Sequence, residues 1–210
     1  MEELKYKVPN RNIAEGILEE ASILNPGPWV EHSRYVAEAA ALIAQYDSDL
    51  DEDTAYVLGL LHDIGRRNGR HYVRHAIDGY NYALENGYDF VARISITHGF
   101  LCSNVDDICG EMDLTKTEYD FIKNYLGNIE YNSYDKLIQL CDVLALPSGF
   151  CLIEKRMVDV VMRYGFTDFT LEKWKKTFEI KEYFEGKIGK SIYSVLQGIE
   201  KNLERGIYEK

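Results

Sequence analysis

The sequence is poor in the residues that mark disulfide-bonded or zinc-knuckle proteins. Its 210 residues include four cysteines, and no two of them form a CxxC pair. This spacing argues against a disulfide framework or a zinc knuckle. We therefore expect reduced thiols, as in a cytoplasmic protein, at Cys102, Cys109, Cys141 and Cys151. The chain also lacks any apolar run of the roughly 18 residues that a membrane span needs.

Positive charge is scarce, and the formal net charge is −11. An acidic surface repels nucleic acid backbones and anionic membranes, so we expect neither as a bulk partner. The first residues, MEELKYKVPNRN, lack the apolar core of a signal peptide, and a cytoplasmic location is expected. One basic segment is a local exception, with four arginines within nine residues: Arg66, Arg67, Arg70 and Arg74. Such a run most often belongs to a solvated surface.

Strand-like alternation is nearly absent, and helical periodicity covers almost the whole chain. WVEHSRYVAEAAALIAQY and TAYVLGLLHD both read as helices, and the acidic loop DSDLDED between them supplies capping carboxylates. Further helices are predicted up to the C-terminal region, where YSVLQGIEKNLERGI reads as amphipathic. With four prolines and no linker or repeat, the sequence predicts one all-α domain over residues 1–210.

Histidine is also rare, and four of the five histidines have unusual positions. His32 lies one turn before Val36 on an apolar helix face, and His62 ends the apolar run VLGLL. His98 lies one turn after Ile94, and His75 opens a helix after the arginines. His71 has no such position and is expected to be exposed. A single histidine on an apolar face is usually a satisfied core residue, so only the combination carries meaning.

Asp142 is more unusual, because it lies in the apolar segment LIQLCDVLAL. A lone buried carboxylate costs several kcal/mol or stays protonated. A bound cation would remove that cost, but helix capping or pairing with Arg156 would do so too. The same argument applies more weakly to Asp63. Imidazole and carboxylate together are ligands that suit iron, manganese, nickel, cobalt or zinc.

In this order the residues resemble the HD-domain superfamily of metal-dependent phosphohydrolases. The core of the resemblance is His32, His62-Asp63 in LLHDIG, and Asp142 in LCDVLAL. His75 and His98 resemble the additional histidines of the versions that hold two metals, such as HD-GYP phosphodiesterases and HD-type hydrolases of diadenosine tetraphosphate. The resemblance covers about residues 28–146 and implies a helical bundle, with residues 147–210 as a C-terminal helical extension.

The resemblance implies a role for each of these residues. The first metal would be held by His32, His62, Asp63 and Asp142. Asp63 would bridge to a second metal, which His75 and His98 also hold. The implied cofactors are one or two divalent transition metals, with magnesium as a further candidate.

The arginines next to this pattern suggest how a substrate would bind. Arg66 stands three residues after Asp63, where HD-GYP proteins often carry a lysine that meets a substrate phosphate. Arginine suits this role because its guanidinium binds phosphate through two parallel hydrogen bonds. The predicted catalytic residues are therefore Asp63 and Arg66, and the predicted substrate-binding residues are Arg66, Arg67, Arg70 and Arg74.

These features predict hydrolysis of a phosphate ester or anhydride by metal-activated water, with a nucleotide or a similar small molecule as substrate. The segment GFLCSN after His98 lacks the second histidine and the GYP motif of the HD-GYP enzymes that cleave cyclic dinucleotides, which argues against cyclic di-GMP as the substrate. Two other functions stay open: a di-iron oxygenase with the same ligands, and a regulatory protein that binds a nucleotide. Tyr72, Phe100 and Phe150 could stack on a base, although core packing is the commoner role of such residues.

Overall fold

The computed structural model describes residues 7–202, and helices dominate this part of the chain. Two short 3-10 helices occupy Ile64–Asn68 and Ile199–Asn202, and two strands pair antiparallel, β1 (Ala145–Leu146) with β2 (Gly149–Phe150). The predicted all-α class is thus confirmed. The α-helices are α1 (Arg11–Leu24), α2 (Trp29–Ala44), α3 (Glu52–Leu61), α4 (Arg74–Glu85), α5 (Asp89–Thr97), α6 (Lys116–Gly127), α7 (Ser133–Leu144), α8 (Ile153–Tyr164), α9 (Thr170–Ile188) and α10 (Ile192–Val195).

Side-chain caps fix the beginnings of several helices. Asp51 accepts a hydrogen bond from the backbone N–H of Thr54, so the acidic loop caps α3 as predicted. A reciprocal capping box joins Thr115 and Glu118 at α6, and another joins Asn132 and Asp135 at α7. The helices that supply the central residues therefore begin at positions set by local sequence.

The core forms around α2, which packs closely against α3 and α7. Its alanines, including Ala37, Ala40 and Ala44, are buried and keep the helices close together. A Cβ atom at Gly59 of α3 would lie 2.8 Å from the Cα of Ala37, so only glycine fits there. This close contact fixes the position of the last turn of α3, which leads to His62.

Two expectations about the C-terminal part need correction. The PSG segment forms the turn between β1 and β2 together with the first residue of β2, and it is not a simple interhelical loop. The predicted helix YSVLQGIEKNLERGI is not continuous, because α10 ends at Val195 and Gly198 has a positive φ of 81°. Residues 199–202 then form a 3-10 turn. Residues 203–207 of that prediction lie outside the described residues.

The C-terminal helices share the core of the preceding helices. Phe184, Ile188 and Ile192 are buried in the same apolar cluster as α2 and α7. Within residues 7–202, no helix combines the length and the apolarity needed to cross a membrane.

Candidate metal centre

Six side chains predicted as ligands lie around one site, although they come from five separate parts of the fold. α2 contributes His32, the end of α3 contributes His62 and Asp63, α4 contributes His75, the end of α5 contributes His98, and α7 contributes Asp142. All except Asp142 are buried. Helices that are distant in sequence thus bring together one polar cluster inside an apolar core.

The first half of the cluster contains His32, His62 and Asp63. One potential ligand atom from each lies within 4.8 Å of the others, a spacing that suits a shared metal ion. Asp142 lies next to this group, with its Oδ1 atom 3.0 Å from Nε2 of His32. Its side chain is 28% exposed, so the Asp142 side of the cluster faces solvent.

The second half contains Asp63 again, with His75 and His98. The Oδ1 atom of Asp63 lies 3.2 Å from Nε2 of His75 and 3.6 Å from Nε2 of His98. The same three residues satisfy the 4.8 Å spacing for a shared ion. Asp63 therefore belongs to both halves, as a bridging carboxylate must.

The contact of Gly65 with the α4 backbone at His75 and Gly79 explains why Asp63 lies so close to α4. A Cβ atom at Gly65 would lie 1.9 Å from the carbonyl oxygen of His75 and 2.5 Å from the backbone nitrogen of Gly79. The 3-10 turn after Asp63 therefore packs directly on the α4 backbone, which only glycine allows. This contact places the carboxylate beside the imidazole of His75.

Backbone carbonyls orient two of the imidazoles. Nδ1 of His62 lies 2.7 Å from the carbonyl oxygen of Gly59, and Nδ1 of His98 lies 2.9 Å from that of Ile94. When Nδ1–H donates to such a carbonyl, Nε2 keeps its lone pair and points it away from the helix. Metal-binding histidines commonly have a partner of this kind.

Buried atoms without partners test whether the cluster suits a metal. Nε2 of His62 and Oδ1 of Asp63 are both fully buried and have no hydrogen-bond partner among residues 7–202. Leaving such atoms unpaired costs about 1–3 kcal/mol each. A cation between them would use the lone pairs of both, and nitrogen with carboxylate oxygen is a set that divalent metals accept. The residues present therefore fit a metal.

Comparison with known proteins agrees with this geometry. The sequence model of the HD domain family matches residues 29–146, more than half of the chain. The chain belongs to the HD domain family. Neither curated proteins nor solved structures gave a significant match. The resemblance deduced from the six residues is thus confirmed, and HD domains bind divalent metals and are commonly hydrolases.

Burial and nearby charge set the protonation of the imidazoles. Burial lowers the pKa of His62 to about 4, although the carboxylate of Asp63 opposes the change. Burial, with the positive charge of Arg66, lowers the pKa of His75 to about 3. Both rings are therefore neutral near pH 7, which is the form that binds metals.

The pKa values of His98, Asp63 and Asp142 shift in the direction that favours the charged form of each side chain. Burial alone would lower the pKa of His98, but the nearby carboxylate of Asp63 raises it overall. Burial would raise the pKa of both carboxylates. The charge of Arg66 instead holds the pKa of Asp63 well below normal, and hydrogen bonding to His32 does the same for Asp142. Two ionised carboxylates in a mostly buried space provide a strong attraction for a cation.

The four arginines predicted to bind substrate have different surroundings in the structure. Nε of Arg66 donates to Oδ2 of Asp63 at 2.6 Å, so this side chain lies at the cluster and is 27% exposed. Arg67 pairs with Glu20 at 2.8 Å, and its guanidinium carbon lies 4.1 Å from the centroid of the Tyr82 ring. These contacts give Arg67 a structural role in the joint between the 3-10 turn, α1 and α4.

The remaining two arginines also differ from each other. Arg74 lies 3.6 Å from a carboxylate oxygen of Asp78 and 3.5 Å from one of Glu118. Arg70 is exposed on the loop before α4. Arg67 and Arg74 thus pair with carboxylates outside the His/Asp cluster, whereas Arg66 contacts a carboxylate of the cluster itself.

Several other sequence predictions can be compared with the structure. Phe100 and Phe150 are buried in the core, so core packing and not base stacking explains them. His71 is partly exposed, with Nδ1 3.9 Å from Asp113. Arg156 pairs with Asp159 at 3.3 Å, whereas the partner of Asp142 is His32. The cysteines Cys102, Cys109, Cys141 and Cys151 are all free.

Sequence reasoning missed three features of the site. The carbonyls of Gly59 and Ile94 carry no side-chain signal, although each lies one turn before the histidine that it orients. The role of Gly65 was equally hidden, because its contact with α4 depends on the folded chain. Tyr164, at the end of α8, is near enough to Arg66 to affect its pKa.

Proposed function

We propose that this HD-family protein is a metal-dependent phosphohydrolase that cleaves a phosphate ester or anhydride of a small molecule, with nucleotides as the leading class. One observation carries the proposal: Asp63 belongs to two His/Asp groups, has a buried oxygen without a partner, and contacts Arg66. Two adjacent cation sites with an arginine beside them suit attack of water on a phosphoryl group.

The ligand residues divide into two proposed sites. His32, His62, Asp63 and Asp142 hold the first divalent metal, and Asp63, His75 and His98 hold the second. Bound at these positions, the ions would supply Lewis acidity, activating water and neutralising phosphoryl charge. The burial of His62 and His75 keeps both rings neutral near pH 7, so no proton has to leave them before a metal binds.

Arg66 is the proposed phosphate-binding residue. Its Nη1 donates to the carbonyl oxygen of His71 at 3.2 Å while its Nε holds Asp63, so the guanidinium plane is fixed from two sides. The partly exposed guanidinium can meet an anion that approaches from solvent. A fixed cation beside the reacting phosphate stabilises the charge that develops on its oxygens without reorganising. Arg70, which is exposed on the neighbouring loop, would attract the anion at longer range.

A phosphate-release screen tests the proposal. Metal-free protein would be reloaded with iron, manganese, cobalt, nickel or zinc and given nucleotides and simple phosphate esters without oxygen. We expect phosphate release with at least one metal and none from Asp63→Asn. The matched control is Asp120→Asn, because Asp120 is exposed and pairs with Lys116 on the surface of α6.

Two outcomes would contradict this function. Equal rates for wild type and Asp63→Asn would place the chemistry elsewhere. Oxygen uptake by the iron-loaded protein, with no phosphate release under nitrogen, would instead support the di-iron oxygenase. The free cysteines suit a reducing compartment, and we include a cytoplasmic location in this proposal.

A further inference from the structure

Two tyrosines beside Arg66 form a second feature of the candidate active site. Tyr72 lies on the loop before α4, and Tyr164 is the last residue of α8. Their ring centroids are 6.5 Å apart and the rings are nearly perpendicular, at 80°. The side chains remain 45% and 41% exposed, respectively. Large aromatic rings usually bury more of their surface, so this exposed pair calls for an explanation.

The loop that carries Tyr72 is held firmly in place. The carboxylate of Asp113 accepts hydrogen bonds from the backbone N–H groups of Tyr72, Val73 and Arg74 at 2.7, 2.8 and 2.9 Å. Gly110 has a φ of +107°, and a Cβ there would lie 2.3 Å from Cδ1 of the Tyr72 ring. One side of the ring therefore rests on backbone, where only glycine fits.

The same loop is joined to the metal centre. The carbonyl oxygen of His71, the residue before Tyr72, accepts a hydrogen bond from Arg66, which itself holds Asp63. On the other side of Tyr72, the chain continues through buried Val73 to His75. Tyr72 therefore lies between two segments that contact the cluster.

Tyr164 approaches from the C-terminal helices. Its ring contacts that of Tyr72, the residue after His71, whose carbonyl oxygen accepts the hydrogen bond from Arg66. The guanidinium carbon of Arg163 lies 5.2 Å from the centroid of the Tyr164 ring, and Arg163 is paired with Asp159 at 2.6 Å. The end of α8 thus places a partly exposed aromatic ring against Tyr72, on the loop that Arg66 contacts through the His71 carbonyl.

We infer that Tyr72 and Tyr164 bind the non-phosphate part of the substrate, and that this part carries a flat aromatic ring such as a nucleobase. The inference rests on the proposed phosphohydrolase function and narrows its substrate class. A planar group can pack against the exposed part of either ring, by offset stacking or edge to face, and both arrangements are favourable for aromatic contacts. Stacking on a ring requires no particular base, so the pair selects nucleotides as a class.

Matched ligands and variants test this inference. The probes are the four common nucleoside 5′-monophosphates and ribose 5-phosphate, which has the same phosphate but no base. Calorimetry on metal-loaded protein would give Kd, and phosphate release would give KM and kcat. The variants are Tyr72→Leu and Tyr164→Leu, with Tyr72→Phe retaining the ring. Tyr46→Leu is the control, because Tyr46 is similarly exposed and stacks with Lys190 instead.

We expect the leucine variants to weaken binding of the monophosphates by roughly tenfold, the lower range for one lost stacking contact. Binding of ribose 5-phosphate should not change, and Tyr72→Phe and Tyr46→Leu should behave as wild type. Where turnover occurs, KM should rise while kcat changes little. A merely structural role would instead weaken both kinds of ligand together.

Three results would overturn the inference: equal wild-type affinity for ligands with and without a base, equal weakening of both in the leucine variants, or no binding of any monophosphate. Each leaves the proposed function standing if other phosphate esters are still hydrolysed in an Asp63-dependent way. The absence of phosphate release from every ester would instead count against the proposed function, while base-dependent binding would still support the tyrosine pair.

Discussion

Asp63 and Asp135 are both buried carboxylates paired with one arginine, yet their surroundings differ. Both oxygens of Asp135 are satisfied: Arg93 donates from Nε and Nη2, Thr97 donates from its hydroxyl at 2.7 Å, and the backbone of Asn132 donates at 2.8 Å. Within the described part of the chain, Asp63 has Arg66 on one oxygen, and its other oxygen is buried without a hydrogen-bond partner. The two sites share α5 and α7: the Asp135 network joins these helices, and they also supply His98 and Asp142.

The comparison separates a structural ion pair from a candidate functional one. The Asp135 network holds α5 against α7, and Gln139 adds a hydrogen bond to the carbonyl oxygen of Thr97 at 2.9 Å. His98 follows Thr97 directly, and Asp142 lies one turn after Gln139. The fully hydrogen-bonded Asp135 network therefore fixes α5 against α7. In the neighbouring His/Asp cluster, buried atoms of His62 and Asp63 keep lone pairs that a cation could use.

The largest expected effect comes from removing Asp135. Asp135→Ala takes away the buried carboxylate that Arg93 pairs with through Nε and Nη2, which should lower the free energy of unfolding by about 3–5 kcal/mol. Urea unfolding of the metal-free protein would measure the loss.

Asp120→Ala serves as the control for that change, because an exposed ion pair contributes only about 0–1 kcal/mol. If Asp135→Ala does not fold, Thr97→Val tests the same network by removing one donor, at a cost of about 1–2 kcal/mol. Losses no larger than that of Asp120→Ala would show that the network does not hold the helices together.

Acid should weaken the metal-free protein through the histidines of the candidate site. A histidine with a folded-state pKa of about 4, as for His62, takes up its proton more readily when unfolded, so its contribution to stability falls as the pH drops below about 6.5. Between pH 7 and pH 5 this amounts to about 2 kcal/mol. Unfolding at both pH values would measure it.

His62→Gln should reduce this pH dependence, because glutamine does not titrate. His98 opposes the trend, since its pKa is raised in the folded protein. An equal slope for wild type and His62→Gln would mean that His62 is not the group responsible.

Arg66 and Arg93 should respond differently to loss of charge. Arg66→Leu should reduce kcat/KM for a phosphate substrate by about tenfold to a hundredfold, as expected for one charge-assisted contact in the transition state. In the metal-loaded protein, where the ions would still neutralise Asp63, the stability of Arg66→Leu should change far less than that of Arg93→Leu, because the guanidinium of Arg66 is partly hydrated in the folded protein whereas that of Arg93 is buried.

The control for Arg66→Leu is Arg70→Leu, which removes an exposed cation from the neighbouring loop and should change kcat/KM much less. Steady-state rates and urea unfolding of each variant would measure both effects. An Arg66→Leu variant with normal kcat/KM and poor stability would assign Arg66 a structural role like that of Arg93.

The smallest effect is expected for the stability of metal-free Asp63→Asn. The amide avoids the cost of burying a charge, and Arg66 can turn towards solvent, so we expect a change within about 1 kcal/mol. Urea unfolding in the presence of a chelator would measure it. A loss as large as that of Asp135→Ala would show that Asp63 is mainly a structural residue.

The sequence predicted one of the two carboxylate clusters and not the other. Asp142 stood out because eight apolar neighbours surround it in the decapeptide LIQLCDVLAL, and burial there calls for a cation or a partner. Asp135 looked like an ordinary first-turn residue of α7, and it does close a capping box. Its pairing with Arg93 joins residues 42 positions apart, which no local pattern records.

The same limit applies to the arginine run. The sequence predicted Arg66, Arg67, Arg70 and Arg74 as substrate-binding residues, and it could not show that Arg67 pairs with Glu20 or Arg74 with Glu118, because these contacts depend on how α1 and α6 pack. The helices of the first 146 residues were predictable from caps and periodicity. The break at Gly198 was not, because a single glycine within an amphipathic pattern does not by itself fix a positive φ.

Metal content tests the central claim most directly. Wild-type protein, Asp63→Asn and the surface control Asp120→Asn would be stripped with chelator, reloaded with manganese or iron, dialysed, and analysed for metal per chain. We predict more than one ion per chain in wild type and control, and an affinity for both ions at least about a hundredfold weaker in Asp63→Asn, since even outer-shell changes cost tenfold to a hundredfold. Equal metal content in Asp63→Asn and wild type would contradict a metal centre shared through Asp63.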